Sequence, residues 1–293
     1  MSAPASSIQS VHIRRAQPTD AGTCGRICYD AFATLQSHHN LPPDFPDPSH
    51  AIQTLTMMFS HPGFYCVVAE SDGQIIGSNC LDERGPIAGV GPITVNPAVQ
   101  NRAAGRQLMA AIMDRAKERR FAGVRLVQEA YHNRSLSLYT KLGFDAREPL
   151  SLINGTPIRQ TPSGYRFRHA EQRDVEACNA LCIRVHGHDR GGELRDGIEH
   201  GMARVLEFDG RIVAYASAIG FLGYSVAETN RDLQALIASA EEFLGPGILV
   251  PTRNSALLRW CLDRGLRVMK PLTLMTVGLY NEPFGAYLCS ILY

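Results

Sequence analysis

The chain repeats itself in three ordered blocks, and that repetition limits its fold more than any single motif does. Residues 13–28, "IRRAQPTDAGTCGRIC", align with 167–182, "FRHAEQRDVEACNALC", at an offset of 154, with Arg14/Arg168, Ala16/Ala170, Asp20/Asp174, Cys24/Cys178 and Cys28/Cys182 coinciding. Each block predicts a short strand, a polar turn and a helix beginning near the aspartate, a good capping residue. Residues 69–78, "AESDGQIIGS", match 206–215, "LEFDGRIVAY", at an offset of 137, and both predict strands joined by an Asp-Gly hairpin. Residues 132–152 match 254–274 at an offset of 122, with Gly143/Gly265, Pro149/Pro271, Leu150/Leu272 and Leu152/Leu274 coinciding. The falling offset means that the second copy lacks 17 residues before the hairpin and 15 more between the hairpin and its last helix. Between the copies, "NGTPIRQTPSG" (154–164) has linker composition. Two domains are therefore expected, 1–155 and 165–293, joined by 156–164.

Length and composition agree with that division. A chain of 293 residues, 45% hydrophobic and 19% charged, can bury two cores. With 29 basic and 28 acidic residues the net charge is +1, which gives no electrostatic case for nucleic acid or an anionic membrane as partner. No apolar run approaches the roughly 20 residues that span a bilayer. The opening "MSAPASSIQSVHIRR" lacks the basic-then-apolar order of a signal peptide. A cytoplasmic location and reduced cysteines are the expectation. Cys24/Cys28 and Cys178/Cys182 are spaced i, i+4, without CxxC or a nearby His in zinc-finger register. They read as buried core residues, and no metal is expected.

One stretch, "VNPAVQNRAAGRQLM" (95–109), occurs only in the first copy. The preceding "GPIAGVGPITVNP" (85–97) predicts a strand stopped by Asn-Pro, and Leu108, Ala111, Ile112 and Ala116 recur at helical spacing. Ala103, Ala104 and Gly105 lie at the join and carry almost no side chain. A ligand can there approach the unpaired amides of a helix N-terminus, where the macrodipole is positive. Such an end suits a pyrophosphate, with Arg102 and Arg106 adding charge. The loop is neither a Walker loop nor GxGxxG, and by itself it is also what close packing produces.

The order of strand, small-residue loop, helix, strand "GVRLVQEA" and helix "NRSLSLYTKLGF" resembles the GNAT superfamily of acyl-CoA-dependent N-acyltransferases. The family's Gln/Arg-x-x-Gly-x-Gly/Ala pattern lands on Gln100, Ala103 and Gly105, with Ala in place of the first Gly, which implies an ordinary backbone angle or a slightly looser approach to the phosphate. Its Leu-Tyr pair before Leu-Gly-Phe stands as Leu138-Tyr139 and Leu142-Gly143-Phe144; the Asn often found at this helix start is displaced to Asn133, with His132 in its register. The resemblance covers 11–152 and, through the repeat, 165–293. It implies an α/β (α+β) chain of two GNAT-like domains, each a mixed, largely antiparallel sheet flanked by helices. It also implies acetyl-CoA as cosubstrate and a small-molecule or peptide amine as acceptor. Gln100, Asn101, Arg102, Ala103, Ala104, Gly105 and Arg106 would surround the pyrophosphate, with Ile93, Val95, Asn133 and Tyr139 along the rest of the cofactor.

Amine attack on a thioester requires a base, an oxyanion donor and an acid for the leaving thiolate. Tyr139 matches the family's general acid, and the Val95 amide is the expected oxyanion donor. Glu83 and Glu129 are the candidate bases; Asp82, His38 and His39 are further titratable groups nearby in topology. In the second copy Cys261 replaces Tyr139, the small-residue loop is missing, and Glu228 and Asp232 stand near the helix start, so CoA binding is not expected there. Its expected task is structural, including one wall of the acceptor pocket. The stretch "GAYLCSILY" (285–293) predicts a strand at a sheet edge near the domain interface. The alternative function is a non-catalytic acetyl-CoA sensor or binding protein.

Overall fold

The computed structural model describes residues 11–99 and 103–293. The first copy supplies β1 (His12–Arg15), α1 (Ala21–His38), α2 (Pro48–Ser60), β2 (Phe64–Ser71), β3 (Gln74–Asp82), β4 (Ile87–Val90), β5 (Thr94–Val95), α3 (Ala104–Glu118), β6 (Gly123–Glu129), α4 (Asn133–Lys141) and β7 (Asp145–Asn154). The second supplies β8 (Tyr165–His169), α5 (Val175–His186), α6 (Gly191–Glu199), β9 (Arg204–Phe208), β10 (Arg211–Ala216) and β11 (Ser225–Ala227). It continues with α7 (Asn230–Ser239), β12 (Ile248–Pro251), α8 (Ser255–Asp263), β13 (Arg267–Gly278) and β14 (Ala286–Leu288).

The repeated residues form the same devices twice. Arg14 pairs with Asp20 at 2.7 Å and with Glu70; Arg168 pairs with Asp174 at 2.6 Å and with Glu207. Each aspartate also accepts from the amide three residues before it, closing a 3-10 turn that leads into α1 or α5. Asp72-Gly73 and Asp209-Gly210 all take positive φ, between 49° and 74°, as tight hairpins need. Helices α4 and α8 correspond residue for residue at the offset of 122.

The sheets do not divide at the linker. Within the described residues a nine-stranded sheet runs β1-β2-β3-β4-β6-β13-β7-β12, with β5 also paired to β3, and a five-stranded sheet runs β14-β11-β10-β9-β8. All pairings are antiparallel except β4 with β6. Strand β13 of the second copy therefore lies between β6 and β7 of the first, and β7 lies between β13 and β12. Since β6 corresponds to β12 and β7 to β13, the run β6-β13-β7-β12 reads the same when the copies are exchanged. Each copy has passed its last long strand to the other. The core follows the exchange: Ile87, Leu150 and Leu152 pack with Leu181, Leu249 and Leu274 in one cluster.

All eight cysteines are buried and free. Burial pushes the thiols of Cys24, Cys28, Cys178, Cys261 and Cys289 up to about 12, as expected of core residues. Among the described residues no helix is long and apolar enough to cross a membrane.

Candidate active site

Strands β4 and β6 run parallel only where Ile87–Gly89 meet Gly123–Arg125. Beyond that point they separate. Residues Gly91, Pro92 and Ile93 interrupt the strand expected over 85–97, and β5 pairs instead with β3, Val95 opposite Gly77. The gap opens into a cavity of about 1420 Å³, lined on one side by Val90–Val95 and on the other by Leu126–Glu129. Further walls come from the start of α3, from His132, Arg134, Ser135, Leu138 and Tyr139, and from α1 with the segment after it. The second copy closes the remaining side with Phe221, Leu222, Gly245, Pro246, Ile291 and Leu292.

At the helix entrance Ala103 takes φ 60° and ψ 6°, the left-handed region, and supplies no side-chain cap. Of the two alternatives this excludes the ordinary angle: alanine occupies a conformation that glycine adopts more cheaply, so the turn is kept at a local cost. A Cβ on Gly105 would lie 3.9 Å from Val95 Cγ2 and 4.0 Å from Leu138 Cδ2, ordinary contact distances. Packing against the described residues therefore does not require glycine there. The clearance faces the cavity that Ala103, Ala104, Gly105 and Arg106 line, and Ala103 makes no side-chain cap to the first turn of α3, whose amides an anion could meet. Gln100, Asn101 and Arg102 lie outside the described residues.

Ile93 and Val95 both line the gap. The Asn96 amide donates to Ile76 O at 2.8 Å, and successive amides of a strand point to opposite sides. The Val95 amide consequently turns away from β3. Tyr139 lines the cavity from α4, is 7% exposed, and its hydroxyl has no hydrogen-bond partner among the described residues. Burial raises its pKa, so it holds its proton as a donor must. Asn133 opens α4 but does not line the cavity, whereas His132 and Arg134 do.

The two candidate bases separate. Glu83 forms a two-pronged pair with Arg115 at 2.7 and 3.1 Å, outside the cavity. Asp82 is held by Arg84. Glu129 lines the cavity, and Lys270 of β13 donates to its Oε1 at 2.5 Å and to Asp44 Oδ1 at 2.6 Å. Burial raises the Glu129 pKa against the opposing pull of Lys270. His38 lines the cavity; the His39 ring packs against Tyr131, tilted by 54° at 4.7 Å between ring centres. Asp44, Gln128 and Lys270 were not singled out from the sequence. The available signal was Lys270 itself, a charge inside the apolar run "RVMKPLTLMTVG", opposite in sign to Glu148 at the matching position of β7. Glu148 has a corresponding pair, with Arg253 at 2.7 Å.

In the second copy the same places are filled. Thr229 caps α7, accepting from the Asp232 amide, and Asp232 accepts from the Tyr165 hydroxyl at 2.8 Å. Glu228 is paired with Arg184 and Arg211. Strand β14 pairs with β11, and the Cys289 amide donates to Leu249 O of β12 at 3.0 Å, so residues 286–289 fill, between β11 and β12, the counterpart of the gap that stays open between β4 and β6. The strand expected over 285–293 thus joins the second copy's sheet, while Leu292 and Tyr293 reach β4 of the first.

Residues 31–144 match the acetyltransferase (GNAT) family. A mycothiol acetyltransferase from Nocardia farcinica (strain IFM 10152) is 40% identical over 63 residues, 22% of this chain and 21% of that protein, so the chain covers about a fifth of that relative's length. A proposed acetyltransferase from Pyrococcus horikoshii shares the fold over 98% of this chain and 97% of its own, with a TM-score of 0.74 at 18% identity. A GCN5-related N-acetyltransferase from Sphaerobacter thermophilus matches over 93% and 96%, with a TM-score of 0.62 at 14% identity. A tandem GNAT protein from the clavulanic acid biosynthesis pathway matches over 92% and 98%, with a TM-score of 0.52 at 15% identity. Residues 31–144 thus match the GNAT acetyltransferase family, and over its whole length the chain shares the fold of these two-domain structures, a tandem GNAT protein among them.

Proposed function

We propose that the chain is an acetyl-CoA-dependent N-acetyltransferase with one working site, in the first copy, acting on a primary amine. The observation that carries this reading is the contrast between the copies. The first has an open strand gap, an uncapped helix start and a Gly105 that packing does not need; the second has the gap filled, the helix capped and Cys261 in place of the phenol. The residues present fit the cosubstrate: the α3 amides and Arg106 would hold the pyrophosphate, and Ile93 and Val95 the pantetheine arm. Acetyl-CoA supplies an activated acyl group as a thioester. Within that arrangement the Val95 amide stabilises negative charge on the acyl oxygen, the Tyr139 hydroxyl donates a hydrogen bond to the departing sulfur, and Glu129 accepts the amine proton.

Calorimetric titration tests the cosubstrate and its stoichiometry, with one acetyl-CoA per chain expected. Two sites or none refutes the reading. Tyr139→Phe separates an enzyme from a sensor: thiol release should fall about 100-fold, a typical loss for a positioned acid, while acetyl-CoA affinity stays within about twofold. A chain that binds acetyl-CoA and releases no thiol with any amine is a sensor.

A further inference from the structure

Lys270 draws together three parts of the molecule: β13 of the second copy, Glu129 at the end of β6, and Asp44 in the segment between α1 and α2. The Lys270 side chain is fully buried, and those of Asp44 and Glu129 are 7% and 6% exposed. Two carboxylates against one ammonium leave an excess negative charge, away from bulk water. The cluster is also incomplete. Among the described residues Glu129 Oε2 is buried with no partner, and so are Gln128 Nε2 and the Tyr131 hydroxyl; Tyr131 stands beside Glu129 without making a well-formed hydrogen bond to it. Buried polar atoms left unpaired are costly, and an excess charge in such a place calls for a counter-ion. Asp44, Gln128 and Glu129 all line the cavity.

The walls beside the cluster are apolar. Phe45 follows Asp44 and meets Phe32 at 6.4 Å between ring centres, and the Phe221 ring lies 5.8 Å from Lys270 Nζ. Ile291 donates its amide to Phe221 O at 2.9 Å, and its side chain helps to close the same side. A ligand that satisfies Glu129 Oε2 therefore brings one cationic donor, and the rest of it meets aromatic and aliphatic surface.

We propose that the acceptor is a monocationic primary amine with an apolar body, its ammonium received by Glu129 Oε2, and that Lys270 is a positioning residue lent by the second copy to hold Glu129 and the Asp44 segment in place. This rests on the acetyltransferase reading and narrows its acceptor. A carboxylate next to the amine would add a third anion to the cluster, and a second ammonium at the far end would be buried against the aromatic wall without a partner.

The test uses the full chain with acetyl-CoA and three acceptors: 2-phenylethylamine, L-phenylalanine and 1,4-diaminobutane. The expected kcat/KM for 2-phenylethylamine exceeds each of the others by at least about tenfold. Glu129→Gln should lower it by at least tenfold while acetyl-CoA affinity changes less than twofold. Of the groups facing Glu129, Lys270 and the Tyr131 hydroxyl favour its ionised form, and Asp44 opposes it. Lys270→Met should then move the acidic limb of the kcat/KM profile to higher pH. Because that variant leaves two buried carboxylates together, Lys270→Met/Asp44→Asn, which removes one of them, is measured beside it and should move the limb back. A tenfold preference for L-phenylalanine or the diamine, an unchanged kcat/KM in Glu129→Gln, or an unmoved limb in Lys270→Met overturns the proposal. So does absence of turnover with all three amines on an acetyl-CoA-bound chain. Failure of acetyl-CoA to bind overturns the acetyltransferase reading itself, and calorimetry reads that result separately.

Discussion

Gly105→Ala asks why the first turn of α3 has a glycine. Within the helix Gly105 has no need of a left-handed backbone, and an added Cβ meets Val95 and Leu138 at 3.9 and 4.0 Å, where nothing has to move. Alanine is a better helix former by up to about 1 kcal/mol, so the variant should be at least as stable as the parent, with a Tm about 2 °C higher. The methyl group projects into space that the reading assigns to the cosubstrate. Losing one charge-assisted hydrogen bond between a first-turn amide and the pyrophosphate costs about 1.5–3 kcal/mol, which weakens binding about 10- to 100-fold. Thermal unfolding and acetyl-CoA calorimetry on the same preparation give both numbers. A lower Tm would mean that glycine serves packing after all. A raised Tm with unchanged affinity would mean that no ligand approaches there, and either result refutes the argument.

Ala103→Gly should relieve the left-handed alanine, stabilising the fold by about 0.5 kcal/mol once the greater flexibility of unfolded glycine is counted, and chemical denaturation measures it. Gly89→Ala should do the opposite: its Cβ would lie 2.1 Å from Leu292 O, and forcing residues 291–293 off β4 should cost about 1–3 kcal/mol, seen as a lower Tm. Arg168 holds the Asp174 carboxyl below the usual carboxylate range, so this pair stabilises the fold above the unfolded pKa of about 3.9 and ceases to do so as pH falls through the lower folded value. Asp174→Asn should therefore be clearly less stable than the parent at pH 7 and approach it in acid; a constant difference in unfolding free energy from pH 7 to pH 2 would contradict this.

What the sequence revealed was local. The Arg-Asp devices, the Asp-Gly hairpins and the α4/α8 pair are each set within a few residues, and they recur with the repeat that announced them. The exchange of β7 and β13 was hidden because a strand's pattern records that its faces are buried, not which strand lies beside it. The same limit applied to the site. Gly105 could be found from its loop, but Lys270 reaches Glu129 across 141 positions of sequence, through a pairing that only the fold creates. Glu83 and Glu129 were equivalent in sequence; the difference is Arg115, one helix away, which takes Glu83 out of the cavity.

The proposed silence of the second copy rests on the same geometry. Residues 286–289 bridge β11 and β12 and so spend the second gap on backbone hydrogen bonds, which a bound pantetheine arm would have to displace. The α7 start faces this closed gap, and there the Thr229 hydroxyl accepts from the Asp232 amide, so that a cap comes from within the chain. The segment that closes one site goes on to shape the other. Past Cys289 it seats Ile291 and Leu292 in the first cavity, while the Tyr293 hydroxyl accepts from Arg125 at 2.7 Å and meets His188 at 2.8 Å. Removing the second copy would take β13 from between β6 and β7, Lys270 from Glu129, and the Phe221 wall from the cavity. The two copies consequently share one sheet and one core, and the first is not expected to keep the proposed site when expressed alone.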